Sequence, residues 1–385
     1  MNQKKLRIVL VVLIGLIVLS RLYSPAGLWD YLTYRPAPLR AFTAGASANE
    51  LPGMRVVLDL AEPLPAGQNG LWCCCFNAAW QELRSVNGGP LALAGAEGLS
   101  GLLDRGPDPR GYLPAADLYT AAGRVRDGVV GRISRELPQR FPQMSPPDFS
   151  GLAPAAALAY AALDLALPFA HPYQEGKKAL EFTGGDGQKR PVRYFGLGLR
   201  EENDLGKLWK QPLVLFDTRE DGRPNTPGEF ALDLDQSSSP YQLIVARLGR
   251  PSSLGAGLAQ LEEALAAALR AGKANEALEE SNKILMPEMA WRIRHQAAEL
   301  LGQEIGAGKL AGEPLAAAVT EIGFRLDRSG ARLQAQSWMI TQGRGSVYAF
   351  DGPFLLVLRL RTGGQPVLVL WVDNAELLTP WAEKE

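Results

Sequence analysis

Thr320-Glu321-Ile322-Gly323-Phe324-Arg325-Leu326-Asp327-Arg328-Ser329-Gly330 is the stretch from which the fold of this chain is read. Ile322, Phe324 and Leu326 alternate with Glu321, Gly323, Arg325 and Asp327, the period-two pattern of a strand that buries one face. The run closes at Asp327-Arg328-Ser329-Gly330, and from Ala331 the side chains are mixed, small or polar. Thr341-Gln342-Gly343-Arg344-Gly345-Ser346 then sets two glycines around one arginine. Phe354-Leu355-Leu356-Val357-Leu358 and residues 367–372 are apolar and flank Gly363-Gly364, which predicts a hairpin on turn chemistry. A strand, a polar loop carrying Arg344 and two closing strands make a bait-type surface loop the leading expectation.

The neighbouring segments extend this order. Phe350-Asp351-Gly352-Pro353-Phe354 opens the first closing strand, and Ile284-Leu285-Met286-Pro287-Glu288-Met289 carries an apolar run into a proline. Upstream, Tyr241-Gln242-Leu243-Ile244-Val245-Ala246-Arg247-Leu248-Gly249 reads as a strand, and Leu258-Ala259-Gln260-Leu261-Glu262 lies in the helix after it. Leu167-Pro168-Phe169, Phe182 and Val192 stand further back. Over roughly residues 160–378 this order resembles a divergent, bacterial-type serpin. In that family a strand leads through a glycine hinge into the reactive-centre loop and then into a Phe-x-x-Pro-Phe strand. The family pattern has lysine after the proline where this chain has Glu288.

The resemblance implies an α+β fold, serpin-like, with helices packed on large mixed or antiparallel sheets, and the sequence before it is expected to supply an N-terminal membrane segment. It implies a binding protein with no active site of its own, no cofactor and no metal, whose partner is a serine protease or another envelope protein. In inhibitory members the protease cuts the loop, which then inserts as a new strand in the central sheet. At the family's spacing from the hinge glycine, Gly330 leads to a scissile bond at Arg344-Gly345, and an arginine there suits the acidic pocket of a trypsin-like enzyme. Alternate hinge side chains must then be buried. Ala331, Ala335 and Ser337 are small enough, Leu333 is bulky, and Arg332, Gln334 and Gln336 replace the alanines of an efficient inhibitor. Two alternatives stay open. Residues 332–350 also read as an ordinary hairpin with Arg344 at a solvated tip, on a scaffold that inhibits nothing. An envelope hydrolase built on a carboxylate pair is the third possibility.

Composition bounds these expectations. A chain of 385 residues with 46% hydrophobic side chains can bury a large core, so residues 51–380 are expected to form one domain. A net charge of −1 without a basic run argues against nucleic acid, whose binding rests on phosphate neutralisation, and no small-molecule substrate is implied. Lys4, Lys5 and Arg7 precede an uncharged run at 8–19 that spans roughly 20 Å as a helix, short of the ~30 Å hydrocarbon core. Residues 1–22 are therefore expected to be a signal anchor or a cleaved signal peptide, touching the membrane through residues 8–20. The remaining chain is then exported, membrane-anchored with an extracytoplasmic domain or secreted. Residues 23–50, rich in Pro, Ala and Gly, read as a stalk.

Helices are expected at 72–83, 116–137, 154–165, 254–270 and 287–302, and strands at 54–60, 180–182, 193–199, 213–216, 230–234 and 243–248. Helices thus dominate the first half and strands the second. Trp72, Cys75, Phe76, Ala79, Trp80 and Leu83 fall at helical spacing, so Cys73, Cys74 and Cys75 are expected to pack as small apolar side chains. His171 in a turn and His295 on a helix have no nucleophile motif to serve. Asp233-Leu234-Asp235-Gln236-Ser237 fails as a calcium loop, with Ser238 where glycine is needed and Ile244 where a bidentate acid is needed. Glu201, Glu202 and Asp204 read as a solvated loop.

Overall fold

A computed structural model describes residues 51–142, 144–199, 206–219, 228–317, 319–331 and 346–381. The expected signal segment at 1–22, the expected stalk at 23–50 and the acidic group Glu201, Glu202 and Asp204 lie outside the described residues. Among the described residues no helix is long and apolar enough to cross a membrane.

Strands β1 (Met54–Val56) and β2 (Asn69–Cys73) lead into helices α1 (Cys75–Asn87) and α2 (Glu97–Arg105). Strand β3 (Leu118–Arg124), helix α3 (Val129–Arg140) and strand β4 (Ala157–Leu163) follow. Five short strands come next: β5 (Leu167–Pro168), β6 (Gln174–Glu175), β7 (Leu180–Thr183), β8 (Lys189–Val192) and β9 (Tyr194–Leu197). An antiparallel meander of β10 (Leu213–Asp217), β11 (Phe230–Asp233) and β12 (Tyr241–Arg247) precedes helix α4 (Leu254–Arg270). After α4 come β13 (Glu276–Ala277), β14 (Lys283–Pro287), β15 (Met289–Gln296), β16 (Leu315–Ala317) and β17 (Val319–Leu326). The chain closes with β18 (Gly330–Ala331), β19 (Val347–Ala349), β20 (Phe354–Leu360) and β21 (Pro366–Val372).

Eight strands form the largest sheet, in the order β1-β2-β21-β20-β12-β11-β10-β13. The expected closing hairpin is at its centre. Gly363 and Gly364 turn it with φ of +83° and +68°, a region that side chains rarely enter. Phe354, Leu355, Leu356 and Val357, like Val367, Val369, Leu370 and Val372, are at most 1% exposed. A run buried at consecutive positions must have both sheet faces covered, which is why these segments are continuously apolar rather than alternating. Helix α4 covers part of one face. Ser253 caps it by accepting from the Ala256 amide (3.1 Å), and Leu254, Gly257 and Leu261 form its buried stripe.

A second sheet has the order β19-β14-β9-β6. The third layer is built from β3, β4, β15, β16 and β17. Here the sequence expectations fail in three places. The helix expected at 154–165 is β4, the first part of the one expected at 116–137 is β3, and the one expected at 287–302 is β15 followed by a 3-10 turn (Ala298–Leu300). Helices therefore do not dominate the first half. Alanine's advantage in a helix amounts to under ~1 kcal/mol per residue, so a continuous ladder from Leu118↔Leu163 to Arg124↔Ala157 overrides it. In β15 the buried residues are Met289, Trp291 and Ile293, a period-two set. His295 thus lies on a strand, and burial lowers its pKa below the ordinary value. At the N-terminal end, 72–73 belong to β2, paired Trp72↔Val369 and Cys73↔Leu368, and the helix begins at Cys75. The three cysteines are free and buried, as small apolar side chains would be.

Leu370 pairs with Leu71 on one side and Leu356 on the other and is fully buried. Leu370→Ala is expected to cost about 2–5 kcal/mol, read as a lower midpoint in urea unfolding.

Candidate functional site

The candidate site, called the slot below, is the place where β4 and β17, which run in the same direction, are joined by no ladder among the described residues. Strand β4 pairs along one edge with β3, and β17 pairs along one edge with β15, from Met289↔Leu326 to Gln296↔Val319. At one end the two halves are joined, because β16 lies parallel to β4 through Leu315↔Ala157 and Ala317↔Leu158. Beyond that junction, among the described residues, no ladder or isolated bridge connects 159–163 with β17. The layer is one sheet at its base and two half-sheets above it.

The hinge closes the open end. Asp327 and Gly330 exchange backbone hydrogen bonds of 3.2 and 3.1 Å, and Asp327 Oδ1 accepts from the Ser329 amide (2.8 Å). This reverses the chain directly after β17. Strand β18 then pairs antiparallel with β5, Gly330↔Pro168 and Ala331↔Leu167, and β5 begins four residues beyond the end of β4. The amides of Phe169 and Tyr173 donate to the carbonyls of Ser329 (2.9 Å) and Arg328 (2.7 Å). Gly330 has φ +132°, and a Cβ there would stand 2.3 Å from the Leu167 carbonyl oxygen. Only glycine fits. The expected hinge residues Gly330 and Ala331 thus already lie at the mouth of the slot, with Ala331 buried. Arg344 and Gly345, and the hinge positions Leu333, Ala335 and Ser337, lie outside the described residues.

The far end of the loop is tied down as well. Ser346 donates to Asn282 Oδ1 (3.0 Å) and accepts from the Lys283 amide (2.7 Å), and β19 runs parallel to β14. The Arg219 guanidinium donates to the Val347 carbonyl (2.7 Å) and sits 4.3 Å over the Tyr348 ring and 4.9 Å over Phe230. Phe350 and Phe354 of the Phe-x-x-Pro-Phe stretch are fully buried, 5.5 Å apart, and Phe350 packs 5.2 Å from Phe230. The signature fixes the loop's exit to the large sheet.

Sequence reasoning missed a charge cluster beside the hinge. Arg193 Nε lies 3.1 Å from Glu288 Oε2 and Arg193 Nη2 lies 3.2 Å from Glu175 Oε1, while Arg325 Nε donates to Asp327 Oδ2 (2.8 Å). Glu288 is 7% exposed. Burial pushes its carboxyl up to about 7; Glu175 and Asp327 add to the rise, and Arg193 and Arg325 oppose it. Its one sequence signal was an acid in place of the family's lysine after Pro287. Each of these acids is paired with an arginine. The carboxylates of the failed calcium loop are also occupied. Asp233 accepts from Arg361 (2.8 Å) and Gln242 (2.9 Å), and Asp235 from the Ala170 amide (2.8 Å), which steadies the segment after β5. His171 lies in its expected turn, exchanging backbone bonds with the Gln211 side chain.

No family model and no curated protein matches the chain. Among solved structures it is similar to a highly specific serpin of the insect Tenebrio molitor, at 10% identity and a TM-score of 0.45, over 80% of this chain and 92% of that one. It is also similar to thyroxine-binding globulin in complex with thyroxine, at 10% identity and a TM-score of 0.47, over 80% and 92%. A thermophilic serpin, tengpin, in its native state gives 10% identity and a TM-score of 0.47, over 81% and 90%. Independently, the segments that carried the serpin resemblance fold in the expected order: β12, α4, β14, β17, the glycine hinge, β19 and the closing hairpin. That order of elements is the one the resemblance implies.

Gly330→Ala is expected to weaken hinge docking by about 1–3 kcal/mol. Limited proteolysis should then cut the variant between residues 327 and 346 several-fold faster than the parent chain.

Proposed function

We propose that this protein is a divergent serpin-like inhibitor of a trypsin-like serine protease, cut at Arg344-Gly345, whose loop then enters the slot between β4 and β17. The observation that carries this is the hinge. Gly330 and Ala331 already occupy the first two positions of a strand antiparallel to β5, at the mouth of the slot. Continuing that register sets Leu333 opposite Leu165, Ala335 opposite Leu163 and Ser337 opposite Ala161. The side chains at 333, 335 and 337 then share the buried face of Ala331, and Leu333 is the one that must displace its surroundings. A strand added there gains main-chain hydrogen bonds along both edges. The apolar run at 8–20 would tether this body to a membrane or direct its secretion, and the protease would be met outside the cytoplasm.

A second reading is favoured by one observation. Ser346, two residues after Arg344, is bonded to both Asn282 and Lys283, so a protease reading both sides of the Arg344-Gly345 bond must first loosen β19. A scaffold that presents this region to another envelope protein, without inhibiting, is consistent with that anchoring.

Trypsin mixed with the full chain separates the two. The inhibitory reading expects a covalent complex stable to detergent, lost in Arg344→Ala. Cleavage after Arg344 with no complex leaves the scaffold.

A further inference from the structure

The charge cluster beside the hinge is placed to act on it. Continuing the β15–β17 register by one residue from Met289↔Leu326 sets Glu288 opposite Asp327, and like charges directly opposite one another on paired strands repel. Asp327 is the residue that turns the hinge, through its bonds to Ser329 and Gly330. The charged groups felt by Glu288 are Arg193 after β8, Glu175 of β6, Arg325 of β17 and Asp327 of the turn. The C-terminal segment also packs on it, the Thr379 amide donating to the Glu288 carbonyl (2.8 Å), but Leu378, Thr379 and Pro380 bring no charge. With Glu288 neutral, two arginines face two carboxylates. Ionised, Glu288 adds a third negative charge to these four groups.

We propose that Glu288 is a pH-sensitive latch on the hinge: protonated, it leaves Asp327 to Arg325 and the turn docked on β5; ionised, it repels Asp327 and lets the turn open. The raised carboxyl of Glu288 supports this, and the sign follows from it. The docked form binds the proton more tightly than a solvated glutamate with its ordinary pKa of 4.5. The stabilisation is therefore complete below about 4.5 and is lost as pH rises through about 7. The latch acts whether or not a protease is the partner.

Hydrogen exchange on the full chain, corrected for intrinsic rates, tests it at the amides of Phe169, Tyr173 and Gly330, which bond to or within the hinge. Their protection is expected to be lower at pH 8 than at pH 6, by up to about tenfold, the change that a carboxyl moving the whole way between these two ranges produces. Glu288→Gln should keep the pH 6 protection at both values. Glu175→Gln, which removes a like charge and frees Arg193 for Glu288, should move the transition to lower pH. Equal protection at pH 6 and 8 in the parent chain, or a pH dependence that survives in Glu288→Gln, overturns the proposal. Should Glu288→Gln not fold, an unmoved transition in Glu175→Gln overturns it equally.

Discussion

Two strands that run the same way can share a sheet only if their edges meet or a third strand lies between them. In this protein β4 is joined to the β16–β17 segment at the base through β16, and above it no ladder links β4 with β17 among the described residues. Backbone N–H and C=O groups demand partners, so a strand edge without a ladder is a standing invitation to another strand. The rest of the molecule can be understood as holding that invitation open. Strands β3 and β15 complete the outer edges, the eight-stranded sheet supplies the rigid core, and the turn at 327–330 delivers the chain to the mouth of the slot.

Both ends of residues 332–345 are fixed by different chemistry. The entry is held by backbone geometry, where a glycine at φ +132° lets the chain pass within contact of the Leu167 carbonyl. The exit is held by side chains, with Arg219 stacked against Tyr348 and Phe230, and Phe350 and Phe354 in the core. The entry is the weaker attachment, because it rests on a few main-chain bonds beside a charge cluster rather than on buried aromatic surface. Movement of this segment is therefore expected to begin at Gly330.

The parts of this arrangement that were legible in the sequence are those specified locally. The alternation of Ile322, Phe324 and Leu326, the glycine pair at 363 and 364, and the capped helix after Ser253 each depend on neighbours a few residues away, and each is present. Strands β3 and β4 were not legible. Their alanines suit a helix as well as a strand, and only the ladder between segments far apart in sequence decides. Strand β15 was partly legible: the spacing of Met289, Trp291 and Ile293 was there to be read, but Pro287 before it suggested a helix start. The charge cluster at Glu288 was hidden for another reason. Its members come from four separate segments, and nothing in the order of residues announces that they converge.

Inhibition by this protein requires that the slot accept its own residues 332–345. Calorimetry of the chain before and after a single cut within residues 332–345 measures this directly. Insertion of the freed segment as a strand predicts that the cut chain melts well above the intact one, while a cut chain that melts at or below the intact temperature would contradict it.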